Sequence, residues 1–172
     1  MQDHFALFGL PRRYEVDQGS LERRFREVQS KVHPDKHAHL GDAQKRLAMQ
    51  WATQANEAFQ TLKNPLKRAQ YLLHLEGHDA QVENNTAMPS AFLMEQMELR
   101  EEVSDARAAK ADATLDGLRA RLKAAMATQF AALGVMLDEQ KDHAAAAGLV
   151  RQLMFQEKLL QEIDDALEAI EA

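Results

Sequence analysis

Apolar residues recur every three or four positions along most of this chain, which is the spacing of helices with one buried face. Leu21, Phe25, Val28 and Val32 are one such stripe. No sustained alternation of β-branched and aromatic residues with polar residues predicts a strand. The pattern therefore predicts an all-α protein.

The first half of the chain predicts four helices. A short one follows Asp3 and ends by Gly9, a second begins at Asp17 or Ser20, and a fourth runs from Pro65 to Gly77. Pro34 stops the second helix because its ring disfavours a helical His33. The third runs from about residue 43 to residue 62, with a predicted buried stripe of Leu47, Trp51, Ala55, Ala58, Phe59 and Leu62. The second and third helices should form an antiparallel hairpin with residues 33–35 at its tip.

The second half predicts a three-helix bundle. Its helices cover about 90–106, 111–133 and 142–170, joined by short loops. A polar stretch without periodicity precedes them. We therefore predict an N-terminal domain at 1–75, a linker at 76–88 and a C-terminal helical domain at 89–172.

Composition excludes several kinds of chemistry. The chain has no cysteine, which rules out disulfides, cysteine nucleophiles and iron–sulfur clusters held by its own thiolates. It has neither an apolar run long enough for a membrane span nor the pattern of a signal peptide. A cytoplasmic location is the expectation.

Charge differs between the two halves. Residues 1–75 contain 12 Lys and Arg against 8 Asp and Glu, whereas residues 76–172 contain 9 against 19. The difference indicates two functional halves, although solvated helix faces can also vary in charge without any function. The excess of positive charge in the first half is too weak to indicate nucleic-acid binding.

The stretch KVHPDKHAH, residues 31–39, holds three histidines and admits three interpretations. His33 and His37 have the spacing of a metal pair on a helix, but Pro34 between them argues against a helix there. His33 and Asp35 could form an acid–base pair, as in a metal-dependent hydrolase, but a hairpin tip is convex and offers no pocket. The third interpretation is a loop without chemistry of its own, which is either a solvated loop with polar residues by chance or a loop that another protein recognises.

Context favours that last interpretation. The sequence DHFALFGL, a basic amphipathic helix, His-Pro-Asp and a helix containing NEAFQTL together resemble the J domain of DnaJ-type co-chaperones over residues 1–75. The resemblance implies that His33, Pro34 and Asp35 engage a DnaK-type chaperone and stimulate its ATPase. It also implies that a basic face assists this contact, and the matching residues are Arg23, Arg24, Arg26 and Lys31. A rigid proline would present His33 and Asp35 in one geometry, and positive charge would speed encounter with an acidic partner.

The second half extends the resemblance to one family. NPLKRAQYLL and AFLMEQMELREE resemble the HscB family, the J-domain co-chaperones of iron–sulfur cluster assembly. In that family the C-terminal helical domain binds the cluster scaffold IscU, and the J domain passes it to the chaperone HscA. The resemblance implies a co-chaperone that is not an enzyme and needs no cofactor. A J-domain adaptor for a different client protein is the alternative.

The helix that follows Pro89 has two apolar flanks, which also fits a docking surface. Phe92, Leu99, Val103 and Ala106 form a core stripe, and a second flank carries Leu93, Met94 and Met97 beside Glu98 and Glu101. Exposed methionines rimmed by acids suit a protein interface. Burial between two neighbouring helices would explain the second flank equally well. By the family resemblance, Phe155 joins this predicted scaffold-binding site.

Overall fold

The computed structural model describes residues 3–37, 39–79 and 88–172, without the side chains of Pro34 and His37. Within these ranges the chain forms helices and no strand, so the all-α prediction is confirmed. The α-helices are α1 His4–Leu7, α2 Gln18–Val32, α3 Asp42–Lys63, α4 Pro65–Leu75, α5 Ser90–Ala108, α6 Asp112–Gly134 and α7 His143–Glu171. A 3-10 turn, Pro34–His37, precedes α3, and a π-helical segment, Val135–Gln140, follows α6.

The chain divides into two compact units, Met1–Leu72 and Leu73–Ala172. Most of the predicted linker, residues 80–87, lies outside the described residues. The predicted boundaries at residues 75 and 88 therefore stay a prediction. Within the described ranges, no helix combines the length and the apolar character needed to cross a membrane.

Helix α2 begins and ends where its sequence requires. The Asp17 carboxylate accepts a hydrogen bond from the Gly19 backbone N–H at 3.2 Å and from the Ser20 hydroxyl at 2.8 Å. Both hydrogen bonds lower the pKa of the Asp17 carboxyl, and the bond from Ser20 has the larger effect. At the other end His33 adopts the extended conformation that a residue before proline prefers. The helix is thus bounded by its own sequence.

Aromatic stacking fixes how α2 lies against α3. The rings of Phe25 and Phe59 are parallel with centroids 4.1 Å apart, and Phe8 meets Phe25 edge-on at 6.2 Å. Leu21 and Leu62 are fully buried in the same core. The predicted antiparallel hairpin is therefore a packed pair of helices, with residues 33–35 in the loop that joins them.

Helix α1 contacts α4 through His4 and Tyr71. The His4 ring stacks on the Tyr71 ring at 4.2 Å, and the His4 backbone N–H donates to the Tyr71 hydroxyl at 2.9 Å. Burial lowers the pKa of the His4 imidazole because it disfavours the charged form. Gly9, with φ of 63°, ends α1 as predicted.

The predicted core stripe of α3 is wrong at its N-terminal end. Ala55, Ala58 and Leu62 are buried, but Leu47 is 54% exposed and Trp51 is 40% exposed. Ala48, in the same turns of α3, is only 6% exposed, so these turns are covered on the side of Ala48. At about 100° per residue, Ala48 shares a side of α3 with Phe59, which stacks on Phe25, whereas Leu47 and Trp51 lie to one side of that face.

Arg68 is a buried cation that holds the N-terminal unit together. Its guanidinium donates to the Tyr14 carbonyl and to the Leu62 carbonyl, both at 2.6 Å. Leu62 is in the last turn of α3, where carbonyl groups have no partner within the helix. Arg68 also lies over the Tyr14 ring, 4.8 Å from its centroid.

We therefore expect Arg68→Met to destabilise the N-terminal unit by about 2–4 kcal/mol, because two buried carbonyls lose a charged donor. Urea unfolding followed by the fluorescence of Trp51, the chain's single tryptophan, reports on this unit. The matched control is Lys67→Met, whose side chain is exposed, with an expected change within about 0.5 kcal/mol. Equal midpoints for the two variants would contradict a structural role for Arg68.

The C-terminal unit is an up-down-up bundle of α5, α6 and α7. Short connections join the helices, with left-handed conformations at Lys110 and Lys141. Because each connection reverses the chain, α5 and α7 run parallel. Arg100 pairs with Glu162 at 2.6 Å, and Arg119 pairs with Asp164 at 2.7 Å. These two ion pairs link α5 to α7 and α6 to α7, and they show which residues lie at the same level on neighbouring helices.

Candidate functional site

The loop at the hairpin tip presents His33 and Asp35 to solvent. The Asp35 backbone N–H donates to His33 Nδ1 at 3.3 Å, and Asp35 Oδ2 lies 3.5 Å from the same nitrogen. Half of the His33 side chain and 91% of the Asp35 side chain are exposed. The loop therefore offers a partner one imidazole ring beside one carboxylate.

Local hydrogen bonds order this loop. Pro34 begins the 3-10 turn, and the Lys36 backbone N–H closes it by donating to the His33 carbonyl at 3.0 Å. The Lys36 ammonium donates to the Ser30 hydroxyl in α2 at 3.2 Å. The turn also packs against α3. The His33–Asp35 pair is thus fixed to both helices of the hairpin.

The predicted basic residues of α2 are all exposed: Arg23, Arg24, Arg26 and Lys31. The Arg23 guanidinium donates to the Ser20 hydroxyl at 3.1 Å, and Arg26 lies 3.9 Å from Glu22. A pair of exposed charges at this distance contributes little to stability. The four basic side chains therefore lie at the surface of α2.

The metal interpretation of the loop gains no support from the described atoms. Within the described residues, no group of three or more His, Cys, Asp and Glu side chains is arranged to hold a metal ion. His39 is exposed, whereas the side chain of His37 is outside the description.

The C-terminal unit exposes the apolar residues predicted for scaffold binding. Phe155 is 40% exposed and Met97 is 69% exposed, with Leu93 and Met94 also at the surface. Glu98 and Glu101 are exposed beside them. We call the four apolar residues Leu93, Met94, Met97 and Phe155 the apolar patch. Asp105, one turn after Glu101, is exposed on the same side of α5 and was not predicted.

The register of α5 and α7 brings the two parts of the apolar patch together. Leu93 lies seven residues before Arg100, and Phe155 lies seven residues before its partner Glu162. Seven residues make nearly two turns, so Leu93 shares the side of Arg100, and Phe155 that of Glu162. In parallel helices these residues also lie at the same level. Leu93 and Phe155 therefore lie at the same level on the adjoining sides of α5 and α7, which the sequence pattern could not establish.

Comparison with known proteins shows the relatives of this chain. Residues 88–164 match the family model described as HSCB C-terminal oligomerisation domain. The co-chaperone protein HscB homolog of Aromatoleum aromaticum is 57% identical over 99% of this chain and 96% of that protein. The homolog of Ralstonia nicotianae is 54% identical over 98% of this chain and 96% of its own length.

A solved structure agrees over nearly the whole length. The chaperone HscB from Vibrio cholerae superimposes with a TM-score of 0.86 at 38% identity, covering 98% of this chain and 99% of that one. The resemblance stated from the sequence is therefore confirmed. This chain belongs to the HscB family of J-domain co-chaperones.

Proposed function

We propose that His33, Pro34 and Asp35 form the contact through which this chain activates its chaperone. Family membership makes the chain a co-chaperone of iron–sulfur cluster assembly that works with a DnaK/HscA-type chaperone and the scaffold IscU. The observation that carries the site assignment is the exposed His33–Asp35 pair, held at the tip of the hairpin. Arg23, Arg24, Arg26 and Lys31 would attract an acidic chaperone surface and align it along α2.

The apolar patch on α5 and α7 is the proposed binding site for the scaffold. Its side chains are large, exposed and close together. Soluble monomers rarely expose such apolar patches, which usually mark sites where a partner binds. Glu98 and Glu101 would select a partner with positive charge around an apolar centre. The methionines can adapt to the surface they meet.

In this proposal the chain performs no chemistry of its own and acts in the cytoplasm. Its chaperone hydrolyses ATP, and the scaffold carries the cluster as cargo. The chain contributes by carrying both the scaffold-binding patch and the loop that activates the chaperone. Their presence on one polypeptide raises the effective concentration of the scaffold at the chaperone.

A steady-state ATPase assay of the purified chaperone tests this function. The full chain is expected to raise the rate of ATP hydrolysis, and IscU is expected to raise it further in the presence of the chain. A chain that binds IscU but leaves the ATPase rate unchanged would overturn the proposed role of the loop. Stimulation without any measurable IscU binding would overturn the proposed role of the apolar patch.

A further inference from the structure

Large exposed apolar side chains cluster at a second place, on the first turns of α3. Leu47 and Trp51 lie one helical turn apart and therefore on the same side of α3, and both are exposed in the described structure. Trp51 is 40% exposed, which is unusual for a side chain with such a large apolar area. We call Leu47 and Trp51 the α3 pair.

The α3 pair lies at the edge of the core face of its helix, on which Ala48 is buried. Trp51, Ala55 and Ala58 follow each other at spacings of four and three residues, but only the two alanines are buried. The stack of Phe25 on Phe59 places the end of α2 at the level of Ala52. The α3 pair consequently lies at about the same level along the hairpin as the loop at 33–37, which packs against α3.

We propose that the α3 pair is an apolar anchor for the same chaperone that the loop engages, an inference that rests on the proposed function. The chaperone would dock along a surface that starts on α2, crosses the loop and ends on α3. Tryptophan is among the residues that most often dominate the binding energy of an interface. The partner surface would offer an apolar recess next to acidic side chains.

Charge supports a chaperone rather than a second copy of this chain. Lys36, in the turn that packs against α3, and Arg46, next to Leu47 in the sequence, are both exposed. An acidic partner complements this surface. A symmetric dimer through the same face would bring Arg46 near its own copy, which like charges oppose.

The first test titrates each variant into the chaperone's ATPase assay. Trp51→Gln and Leu47→Gln are each expected to raise the half-maximal concentration by roughly 10-fold or more, with maximal stimulation retained. Met49→Gln is the matched control, since Met49 is 57% exposed on the opposite side of α3. Unchanged half-maximal concentrations for both variants of the α3 pair would overturn the inference, as would an equal effect of the control.

The second test needs no substitution and exploits the single tryptophan of the chain. Fluorotryptophan incorporated into the full chain gives one fluorine NMR resonance, from residue 51. Addition of the unlabelled chaperone is expected to shift or broaden it. An unchanged resonance at a saturating chaperone concentration would overturn the inference, and so would a shift that depends on the concentration of this chain alone.

His33→Gln separates this inference from the proposed function. If that variant loses stimulation while the α3 pair variants behave as wild type, the loop assignment stands and the anchor is rejected. If His33→Gln retains stimulation, the loop assignment fails and the anchor, which rests on it, fails as well.

Discussion

His33→Gln is expected to reduce stimulation of the chaperone's ATPase to the rate of the chaperone alone. Glutamine keeps a neutral polar group, but it cannot accept from the Asp35 backbone N–H and present a ring N–H to the partner in the geometry of imidazole. His33 lies at the exposed tip of the hairpin, so the substitution should leave the fold intact. Steady-state ATP hydrolysis over a range of co-chaperone concentrations measures the effect.

His39→Gln is the matched control for this variant. His39 is exposed in the same loop, and its replacement should leave stimulation at the wild-type level. Both variants should bind IscU as wild type does, because the apolar patch is untouched. Undiminished stimulation by His33→Gln, or an equal loss in His39→Gln, would contradict the assigned role of His33.

The triple substitution Leu93→Ala, Met97→Ala and Phe155→Ala is expected to abolish measurable IscU binding. Truncating one apolar anchor at an interface often costs about 2 kcal/mol, or roughly 30-fold in Kd. Leu93 and Phe155 lie at the same level on the adjoining sides of α5 and α7, so the three changes remove neighbouring parts of one surface. Isothermal titration calorimetry with IscU measures the change.

Two controls keep this result interpretable. Val135→Ala removes another exposed apolar side chain of the C-terminal unit and should leave the affinity for IscU unchanged. The triple variant should retain the helical circular dichroism spectrum and the basal stimulation of the chaperone, since its substitutions avoid the loop. Wild-type affinity of the triple variant would exclude the apolar patch as the scaffold-binding site.

Periodicity predicted the helices well because local signals mark their ends. Asp17 caps α2, the residue before Pro34 leaves the helix, and Gly9 adopts a left-handed conformation that suits glycine. Such features depend on a few neighbouring residues. They could therefore be read without knowledge of the tertiary structure.

Periodicity failed where two adjacent sides of one helix are both apolar. Leu47 and Trp51 have the spacing of core residues, yet the residue buried at their level is Ala48. The reverse occurs at Gln96 and Gln156, polar residues that are buried in the bundle with unpaired side-chain oxygens. A pattern of apolar residues shows which face of a helix can be buried. Tertiary packing decides which part of that face is buried in the folded protein.

The candidate sites were predictable to different degrees. His33, Pro34 and Asp35 follow from a short motif between two recognisable helices. Leu93 and Met97 follow from a second apolar flank on one helix. Phe155 came from the family resemblance, and its physical justification needed the Arg100–Glu162 pair, since no sequence pattern aligns α5 with α7.

In the proposed function one chain couples the bound scaffold to activation of the chaperone, and mixing the two defective variants tests this coupling directly. The His33→Gln chain is expected to bind IscU without stimulating the ATPase, and the triple variant is expected to stimulate the ATPase without binding IscU. If coupling requires both sites on one polypeptide, an equimolar mixture with IscU and chaperone should give only the ATPase rate of the triple variant alone. Recovery of the IscU-enhanced wild-type rate by the mixture would contradict the account.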